Sequence, residues 1–348
     1  MASFRVAIIL ALAAAFVGPV AAPATSATPK CEMVRPIRLA GLDWDSDRFH
    51  VAVAHFILKH GFGCESEVTP GSTIPLLTGL ARGDLDVVME VWKGQLTEVW
   101  EKAERAGKVK LMGINFPDAI QGWFVPRYVV EGEAAPAKGL VAVADLPRYK
   151  HVFSDPEEPG KGRFYNCKLG WDCETINTKK LSVYGLTNHI TNFRPGSAAA
   201  LAAVVAASHE RKKPILHYYW GPSWIMAKYD MVMLTEPEHD PAIWKALKAS
   251  DNPGRACAYP LVTVYTGANA KFAEAAPTIA GFLKSYRTSN EMVGRALLYL
   301  QTEKGARIED AATHFLDTNP DVWKTWLAPN VAQRVEAALA GRARKARL

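Results

Sequence analysis

After its N-terminal region, the sequence of 348 residues has no apolar run long enough to span a membrane. A membrane-spanning helix needs about 18 or more consecutive apolar residues, so we expect the mature protein to be soluble. The excess of basic over acidic residues is also small, with a formal net charge of only +6. No stretch of basic residues with interleaved aromatic residues occurs. Nucleic acid is therefore not an expected partner. The basic residues at 342–347 are interpreted as the solvated end of a helix, although such a tail can also bind nucleic acid or an acidic membrane surface.

Catalytic and metal-binding motifs are missing as well. The sequence has no Gly-x-Ser-x-Gly elbow, no phosphate-binding loop, and no Cys-x-x-Cys or paired histidines that would suggest zinc. Asp84 and Asp86 lie beside a turn and are interpreted as structural, and His217 as a core histidine. No nucleophile with a base in reach can be nominated. The sequence therefore predicts a protein that is not an enzyme and has no cofactor or metal site.

The first 27 residues have the layout of a bacterial export signal. A positively charged start precedes an apolar stretch of about a dozen residues, which is short for a membrane span. Small residues follow, and cleavage after Ala27 fits the pattern. A membrane anchor is one alternative. A lipoprotein is another because Cys31 lies close downstream, but the residues just before it are not the small apolar ones that lipid attachment needs. We predict a signal peptide at residues 1–27 and a periplasmic protein.

The five cysteines of an exported protein predict disulfides with one thiol left over. Cys167 and Cys173 are close enough in sequence to close a single loop. Cys31 and Cys64 precede the first and second predicted strands, so they can join neighbouring strand starts. Cys257 then remains as the free thiol.

Strands and helices alternate at the start of the mature chain. Residues 37–42 predict a strand, and the helix that follows is capped by Ser46 or Asp47 and stops at Gly61. The next predicted elements are a strand at residues 65–68, a helix with Leu76, Leu77 and Leu80 that ends at Gly83, and a buried strand at residues 84–91. This order predicts a parallel α/β sheet.

A second α/β block begins near Pro126. Its predicted elements are strands at residues 151–153 and 215–219 and a helix at residues 197–208. Beyond this block, a strand is predicted at residues 261–265, and helical patterns fill most of the remaining chain. A C-terminal part that returns to the first block gives two lobes joined by two crossings.

These elements predict lobe boundaries and the place of a site. The first lobe comprises residues 28–125, the second comprises residues 126–256, and residues 257–348 return to the first lobe. Ligands of open α/β sheets bind at the carboxyl ends of the strands, which face each other across the cleft of a two-lobed protein.

Ten tryptophans is a high number for this length. Those on helical stretches are interpreted as packing residues: Trp100, Trp244, Trp323 and Trp326. Five others fall at strand ends or in cleft-side loops, where packing is the alternative for each one: Trp44, Trp92, Trp123, Trp171 and Trp220. A trimethylammonium group needs such a cluster, because it has no hydrogen-bond donor and each desolvated ring face contributes about 0.5–2 kcal/mol.

Three motifs resemble those of a known family. Residues 83–92 (GDLDVVMEVW) are similar to the family's strand that ends in a cage tryptophan, residues 167–174 (CKLGWDCE) to its cysteine loop, and residues 218–230 (YYWGPSWIMAKYD) to its aromatic strand end and following helix. Over nearly its whole length, the mature chain resembles the substrate-binding proteins of glycine betaine and choline ABC importers. The resemblance implies an α/β, two-lobed periplasmic-binding-protein-like fold, in which each lobe is a mostly parallel sheet flanked by helices and the ligand lies in the interlobe cleft.

The resemblance also implies roles for particular residues. In the pattern of betaine binders, Trp92, Trp171 and Trp220 are the cage rings, and the backbone N–H groups of Asp172 and Cys173 hold the ligand carboxylate.

The choline binders of the family imply further positions. They have aromatic residues at the positions of Trp44 and Trp123, and an acid that holds the hydroxyl end of choline at the position of Ser46, which Asp45 and Asp47 flank.

Two departures from the betaine pattern leave the polar end of the ligand open between a carboxylate and a hydroxyl. Leu96 stands where betaine binders have a histidine, with Gln95 as an alternative donor, and Asp172 stands where they have glycine.

A function and partners follow from the resemblance. We expect a monomer that captures a quaternary-ammonium compound by lobe closure and delivers it to an ABC transporter's membrane permease, which works with a cytoplasmic ATPase. The alternatives are the same fold with a different methylated amine or an amino-acid-like ligand, a non-transport receptor, and an enzyme.

Overall fold

The computed structural model describes residues 30–93 and 98–345. The predicted signal peptide at residues 1–27 lies outside the described residues, as do Gln95 and Leu96. None of the helices in the described part of the chain combines the length and the apolar character needed to cross a membrane.

The first block folds largely as its sequence pattern predicts. Its elements are β1 (Ile37–Leu42), α1 (Asp45–Phe62), β2 (Ser66–Gly71), α2 (Thr73–Arg82) and β3 (Val87–Trp92). Strands β2 and β3 flank β1, and both are parallel to it. Helix α1 continues past Gly61 and ends at Phe62, because the next residue, Gly63, adopts the left-handed conformation (φ 67°) that terminates helices.

Two long strands connect the two halves of the molecule. After α3 (Glu98–Arg105), β4 (Val109–Pro126) pairs antiparallel with β9 (Val262–Asn269) and then, from Ile120 onward, antiparallel with β7. Strand β9 is also antiparallel to β3. The expected mostly parallel sheets are therefore mixed, and every antiparallel pairing among the described strands involves β4 or β9.

The second half is built on β7, β5 and β6, which are parallel in that order. Its elements are α4 (Arg127–Val130), α5 (Leu146–Tyr149), β5 (Gly162–Tyr165), α6 (Asp172–Val183), β6 (Ile190–Phe193), α7 (Ala198–Glu210), β7 (Leu216–Gly221), α8 (Trp224–Lys228), β8 (Met231–Met233) and α9 (Pro241–Ala249). The predicted strand at residues 151–153 is wrong, because Lys150–Phe153 is a 3-10 helix and β5 occupies the place beside β7.

The C-terminal part packs against the first half. After β9 come α10 (Ala270–Ala275), α11 (Pro277–Ser285), α12 (Asn290–Thr302), α13 (Ile308–Thr318), α14 (Pro320–Trp323) and α15 (Pro329–Lys345). Helices α13 and α15 pack on α1. Trp323 and Trp326 are buried in this region, where Trp326 contacts the ring of Tyr286 at 4.3 Å, so these two tryptophans are packing residues.

Disulfides join Cys31 to Cys64 and Cys167 to Cys173, while Cys257 is a buried free thiol. The first disulfide connects the segments that precede β1 and β2. The second closes the loop between β5 and α6. Both predicted pairings are confirmed.

Hereafter the first lobe denotes β1, β2, β3, β9 and the part of β4 before Ile120, with their helices. The second lobe denotes β5 to β8 and the rest of β4, with theirs.

Candidate functional site

A small, partly open cavity lies where the two lobes meet. Its volume is about 60 Å³, and four tryptophans line it together with Tyr218. Trp44 and Trp92 come from the first lobe, and Trp171 and Trp220 come from the second. Each of the four side chains is only 5–8% exposed.

The positions of the rings follow from the topology. Trp92 is the last residue of β3, and Trp44 follows the neighbouring parallel strand β1. Trp220 lies at the carboxyl end of β7. Trp171 is the N-cap of α6, which follows β5, the parallel neighbour of β7. Because parallel strands end at the same edge of a sheet, each lobe brings two rings to its cleft side.

The rings contact one another, and one of these contacts crosses the cleft. The ring of Trp171 meets that of Trp44 edge-on, with centroids 5.5 Å apart and an interplanar angle of 84°. It meets Trp220 in the same manner at 5.2 Å and 87°. Tyr219 stacks on Trp220 at 4.7 Å. Such edge-to-face contacts hold aromatic rings in fixed orientations, so the cavity has rigid π-faces on several sides.

A carboxylate that was not among the predicted site residues also lines the cavity. Oε2 of Glu90 accepts hydrogen bonds from the indole Nε1–H of Trp44 and of Trp92, both at 2.8 Å. Burial raises the pKa of Glu90 to about 7, although the hydrogen bonds it accepts act in the opposite direction. A glutamate inside the otherwise apolar run of β3 was the signal in the sequence, because an acid in a buried strand needs a polar partner.

Two further titratable side chains from α1 lie behind Glu90. Asp47 is fully buried and accepts a hydrogen bond from the backbone N–H of Leu42 at 2.7 Å. Burial, and then the neighbouring Glu90, hold the pKa of Asp47 well above its usual range. The Nε2 atom of His50 lies 3.7 Å from Oε1 of Glu90, but burial lowers the pKa of His50 to about 3, so this histidine is neutral.

The lining of the cavity is not wholly aromatic. It also includes Thr73, Gln121, Asp172 and Cys173, the last two of which begin α6. Among the described residues that line the cavity, two are acids and none is basic. The cavity therefore combines aromatic faces with negative charge.

Direct bonds cross the cleft beside the cavity. The Nε1–H of Trp171 donates to Oδ1 of Asp43 at 2.6 Å, and Lys168 forms an ion pair with the same carboxylate. Lys168 also donates to Oγ of Ser72 at 3.1 Å. A Cβ atom at Gly170 would lie 3.2 Å from Cβ of Ser72, so the absence of a side chain there permits this close approach. The structure is thus a closed arrangement of the lobes.

The predicted site residues fall into two groups. The cavity is lined by Trp44, Trp92, Trp171, Trp220, Asp172 and Cys173. Ser46 and Trp123 are not part of this lining. Ser46 is buried and faces a separate space bounded by the other sides of Trp44 and Trp220.

The expectation for Trp123 is corrected by its position in the second lobe. Its ring is fully buried and packs on Phe164 with centroids 4.2 Å apart. Its Nε1–H donates to Oδ1 of Asn177 at 2.8 Å. The cavity is reached instead by Gln121, two residues earlier on β4, whose Oε1 accepts a hydrogen bond from the hydroxyl of Tyr218. Trp123 lies deeper in the lobe, where it stabilises α6 through Asn177.

Within residues 30–93 and 98–345, no cluster of three or more histidine, cysteine, aspartate or glutamate side chains is placed to hold a metal ion. The cavity therefore offers ring faces, carboxylates and helix N-terminal backbone groups as its chemistry.

Known proteins share this fold and parts of the sequence. The chain is 27% identical over 215 residues to the glycine betaine/proline betaine-binding periplasmic protein of Escherichia coli K12, a match that covers 58% of this chain and 61% of that protein. The protein of the same description from Salmonella typhimurium is 25% identical over 210 residues, with the same coverage. The chain thus spans about three-fifths of the length of these curated relatives.

Solved structures are similar over most of the chain. A choline-binding protein of an ABC transporter, in complex with choline, has a TM-score of 0.69 and 19% identity, covering 87% of this chain and 98% of that one. Lactococcal OpuAC, closed on glycine betaine, has a TM-score of 0.65 and 18% identity, covering 84% of this chain and all of that one. These likenesses establish the two-lobed periplasmic-binding-protein fold.

The family is established by a match over most of the sequence. Residues 35–318 match the family model described as the substrate binding domain of the ABC-type glycine betaine transport system. This segment contains every ring of the cavity, both disulfide-linked residues of the α6 loop and Glu90. The members of this family are substrate-binding components rather than enzymes. The chain therefore belongs to the family of substrate-binding domains of ABC-type glycine betaine transport systems.

Proposed function

We propose that this protein captures a small quaternary-ammonium compound of the glycine betaine, proline betaine or choline type in the cavity between its lobes. The observation that carries the proposal is the convergence of Trp44, Trp92, Trp171 and Trp220, two from each lobe, on one small cavity. Only a closed molecule places all four rings around one ligand.

The chemistry of the cavity matches that of a trimethylammonium group. Such a group has methyl surfaces and a diffuse positive charge, and it cannot donate a hydrogen bond. The π-faces of tryptophan attract it by about 0.5–2 kcal/mol per desolvated ring. Three or four rings together with a polar anchor account for a dissociation constant of about 1 μM, which corresponds to about 8 kcal/mol.

Lobe closure is the proposed mechanism of capture. Two segments connect the lobes. One is β4, which changes its pairing partner from β9 to β7 at Ile120, and the other is the segment just before β9. Tyr259 still belongs to the second lobe, because its hydroxyl donates to Asn177 at 2.8 Å. We therefore place the lobe boundaries near Ile120 and Val262, and the Asp43 contacts across the cleft favour the closed state.

The proposed partners are a membrane permease and its cytoplasmic ATPase. The curated relatives are named as periplasmic proteins, which supports an extracytoplasmic location for this chain. The export signal proposed for residues 1–27 agrees with that location. We propose that the protein acts as a monomer and that the permease binds its closed form.

A ligand screen tests the proposed function. We expect choline, glycine betaine or proline betaine to change the tryptophan fluorescence of the protein and to bind with a dissociation constant of about 1 μM. Ethanolamine is the matched control for choline, because it keeps the hydroxyl but replaces the methyl groups by N–H donors. It should bind at least about tenfold more weakly. Tighter binding of ethanolamine or of free amino acids would favour an amino-acid-like ligand instead.

A further inference from the structure

Glu90 occupies an unusual position in the cavity. It is an acid on a strand whose six residues are all buried, and it lines the cavity between Trp44 and Trp92. One of its oxygens, Oε2, accepts both indole N–H groups. The other, Oε1, has no hydrogen bond of normal geometry among the described residues, although the hydroxyl of the buried Ser46 lies near enough to the carboxylate to favour its ionised form. A buried carboxylate with one unpaired oxygen is costly unless a positive group compensates it.

We propose that Glu90 is a specificity-determining residue, which holds two cage rings in place through Oε2 and supplies the counter-charge for the ligand cation. This inference rests on the proposed function and adds to it. The rings attract a cation only through their quadrupoles, whereas a buried carboxylate attracts it as a full charge. The cage should therefore bind cations of permanent charge more tightly when Glu90 is ionised.

The titratable groups around Glu90 make it the side chain whose protonation state we expect to change when a cation binds. From α1, Asp47 faces it as a second acid and His50 faces it as a neutral imidazole. The hydroxyl of Tyr286, which follows α11, is hydrogen-bonded to Nδ1 of His50 at 2.8 Å, and burial keeps its pKa well above the usual range. Asp172 is the other acid that lines the cavity.

Other charges near α1 act mainly on Asp47. Arg48 favours the ionised form of Asp47, whereas Asp43 disfavours it. Two neighbouring buried carboxylates cannot both ionise easily, and because Glu90 raises the pKa of Asp47, Asp47 is the acid that keeps its proton. Glu90 lines the cavity whereas Asp47 does not, so Glu90 carries the negative charge that a bound cation meets.

A pH dependence of binding follows from this arrangement. Because the pKa of Glu90 is raised to about 7, the ionised form gains population as the pH rises through neutrality. The affinity for a cation then rises with pH and levels off above the pKa, and binding releases a proton. Choline and glycine betaine have no group that titrates near neutral pH, so any such dependence belongs to the protein.

The test compares wild-type protein with Glu90→Gln by isothermal titration calorimetry, with choline and glycine betaine as probes. Wild-type affinity should fall by about tenfold from about pH 8 to about pH 6. Glutamine keeps an oxygen that accepts the indole N–H groups but has no charge. Glu90→Gln should therefore bind about tenfold more weakly at about pH 8 and should lose the pH dependence.

Asp47→Asn is the matched second variant, since Asp47 lies outside the cavity lining. Because Asp47 keeps its proton while Glu90 titrates, replacing it should leave both the affinity and its pH dependence close to those of the wild type. Wild-type protein alone provides a measurement that does not depend on the folding of a variant. In buffers of different protonation enthalpy, binding near pH 7 should release about half a proton.

The outcomes separate this inference from the proposed function. If wild-type protein binds choline or glycine betaine with no proton release, and Glu90→Gln has wild-type affinity at every pH, Glu90 is only a structural hydrogen-bond acceptor and the inference is wrong. If wild-type protein binds neither compound and no other quaternary amine, the proposed function itself fails.

Discussion

Replacing Trp171 by alanine should weaken the binding of a quaternary amine by about a hundredfold, or about 2.8 kcal/mol. Trp171 is the central ring of the cage, because its edge contacts orient both Trp44 and Trp220. Its Nε1–H also bonds to Asp43 across the cleft. The alanine variant therefore loses one π-face, the orientation of two others and one interlobe hydrogen bond. Fluorescence or calorimetric titration measures the effect.

Two aromatic variants are the controls for this result. Trp171→Phe keeps a ring but lacks the N–H group that reaches Asp43, so its affinity should lie between those of the wild type and the alanine variant. Trp123→Phe alters a ring that does not line the cavity and should leave the affinity within about twofold of the wild type. Wild-type affinity of Trp171→Ala would show that this ring does not contact the ligand.

Replacing Lys180 by methionine should lower the free energy of unfolding by about 3–5 kcal/mol. Lys180 is a fully buried residue of α6, and its Nζ lies 2.7 Å from Oε1 of the buried Glu236 and 4.0 Å from the ring centroid of Tyr259. Burial lowers the pKa of Lys180, whereas Glu236 opposes this effect. Methionine fills similar space but leaves the Glu236 carboxylate buried without its cation. Denaturant unfolding monitored by circular dichroism measures the loss.

A double variant shows whether the unpaired charge is the cause. Lys180→Met combined with Glu236→Gln removes both charges and should recover a large part of the lost stability. Lys245→Met on α9 alters an exposed lysine and should change the stability by less than about 0.5 kcal/mol. Equal stability of Lys180→Met and the wild type would mean that the buried pair makes no net contribution.

Much of the first lobe is predictable from the sequence because local signals agree there. In β1, α1, α2 and β3 the apolar periodicity, the acidic first turn of α1 and the terminal glycines all favour the same elements. The positions of Trp44 and Trp92 follow from these elements, because each tryptophan comes at the end of a parallel strand. The two disulfides were predictable for the same reason, since the cysteines lie at the ends of neighbouring elements.

The features that the sequence did not predict depend on long-range pairing. Strand β4 contains Pro117 and Asp118, and Asp118 has a positive φ of 57°, so the pattern does not look like a continuous strand. Its length comes from two successive partners, β9 and β7. The depth of Trp123 in the lobe depends on Phe164, 41 residues later in the chain.

Glu90 is the clearest case of information that only the fold provides. Its strand was predicted, and Trp92 lies two residues away on the same strand, but Trp44 approaches it only because β1 and β3 are neighbours. The bond from Trp171 to Asp43 likewise requires the two lobes to be closed. Sequence patterns predict which residues reach the cleft, whereas the contacts between them arise from strand order and lobe closure.

The central claim is that the tryptophan cage recognises the positive charge of a quaternary ammonium group. Calorimetric titration with choline and glycine betaine, each compared with its carbon analogue in which an uncharged tert-butyl group replaces the trimethylammonium, tests this claim most directly. The shape of the ligand is the same in each pair and only the charge differs. We predict that at least one quaternary amine binds and that its carbon analogue binds at least about tenfold more weakly. Equal binding of a carbon analogue, or no binding of either quaternary amine, would contradict the claim.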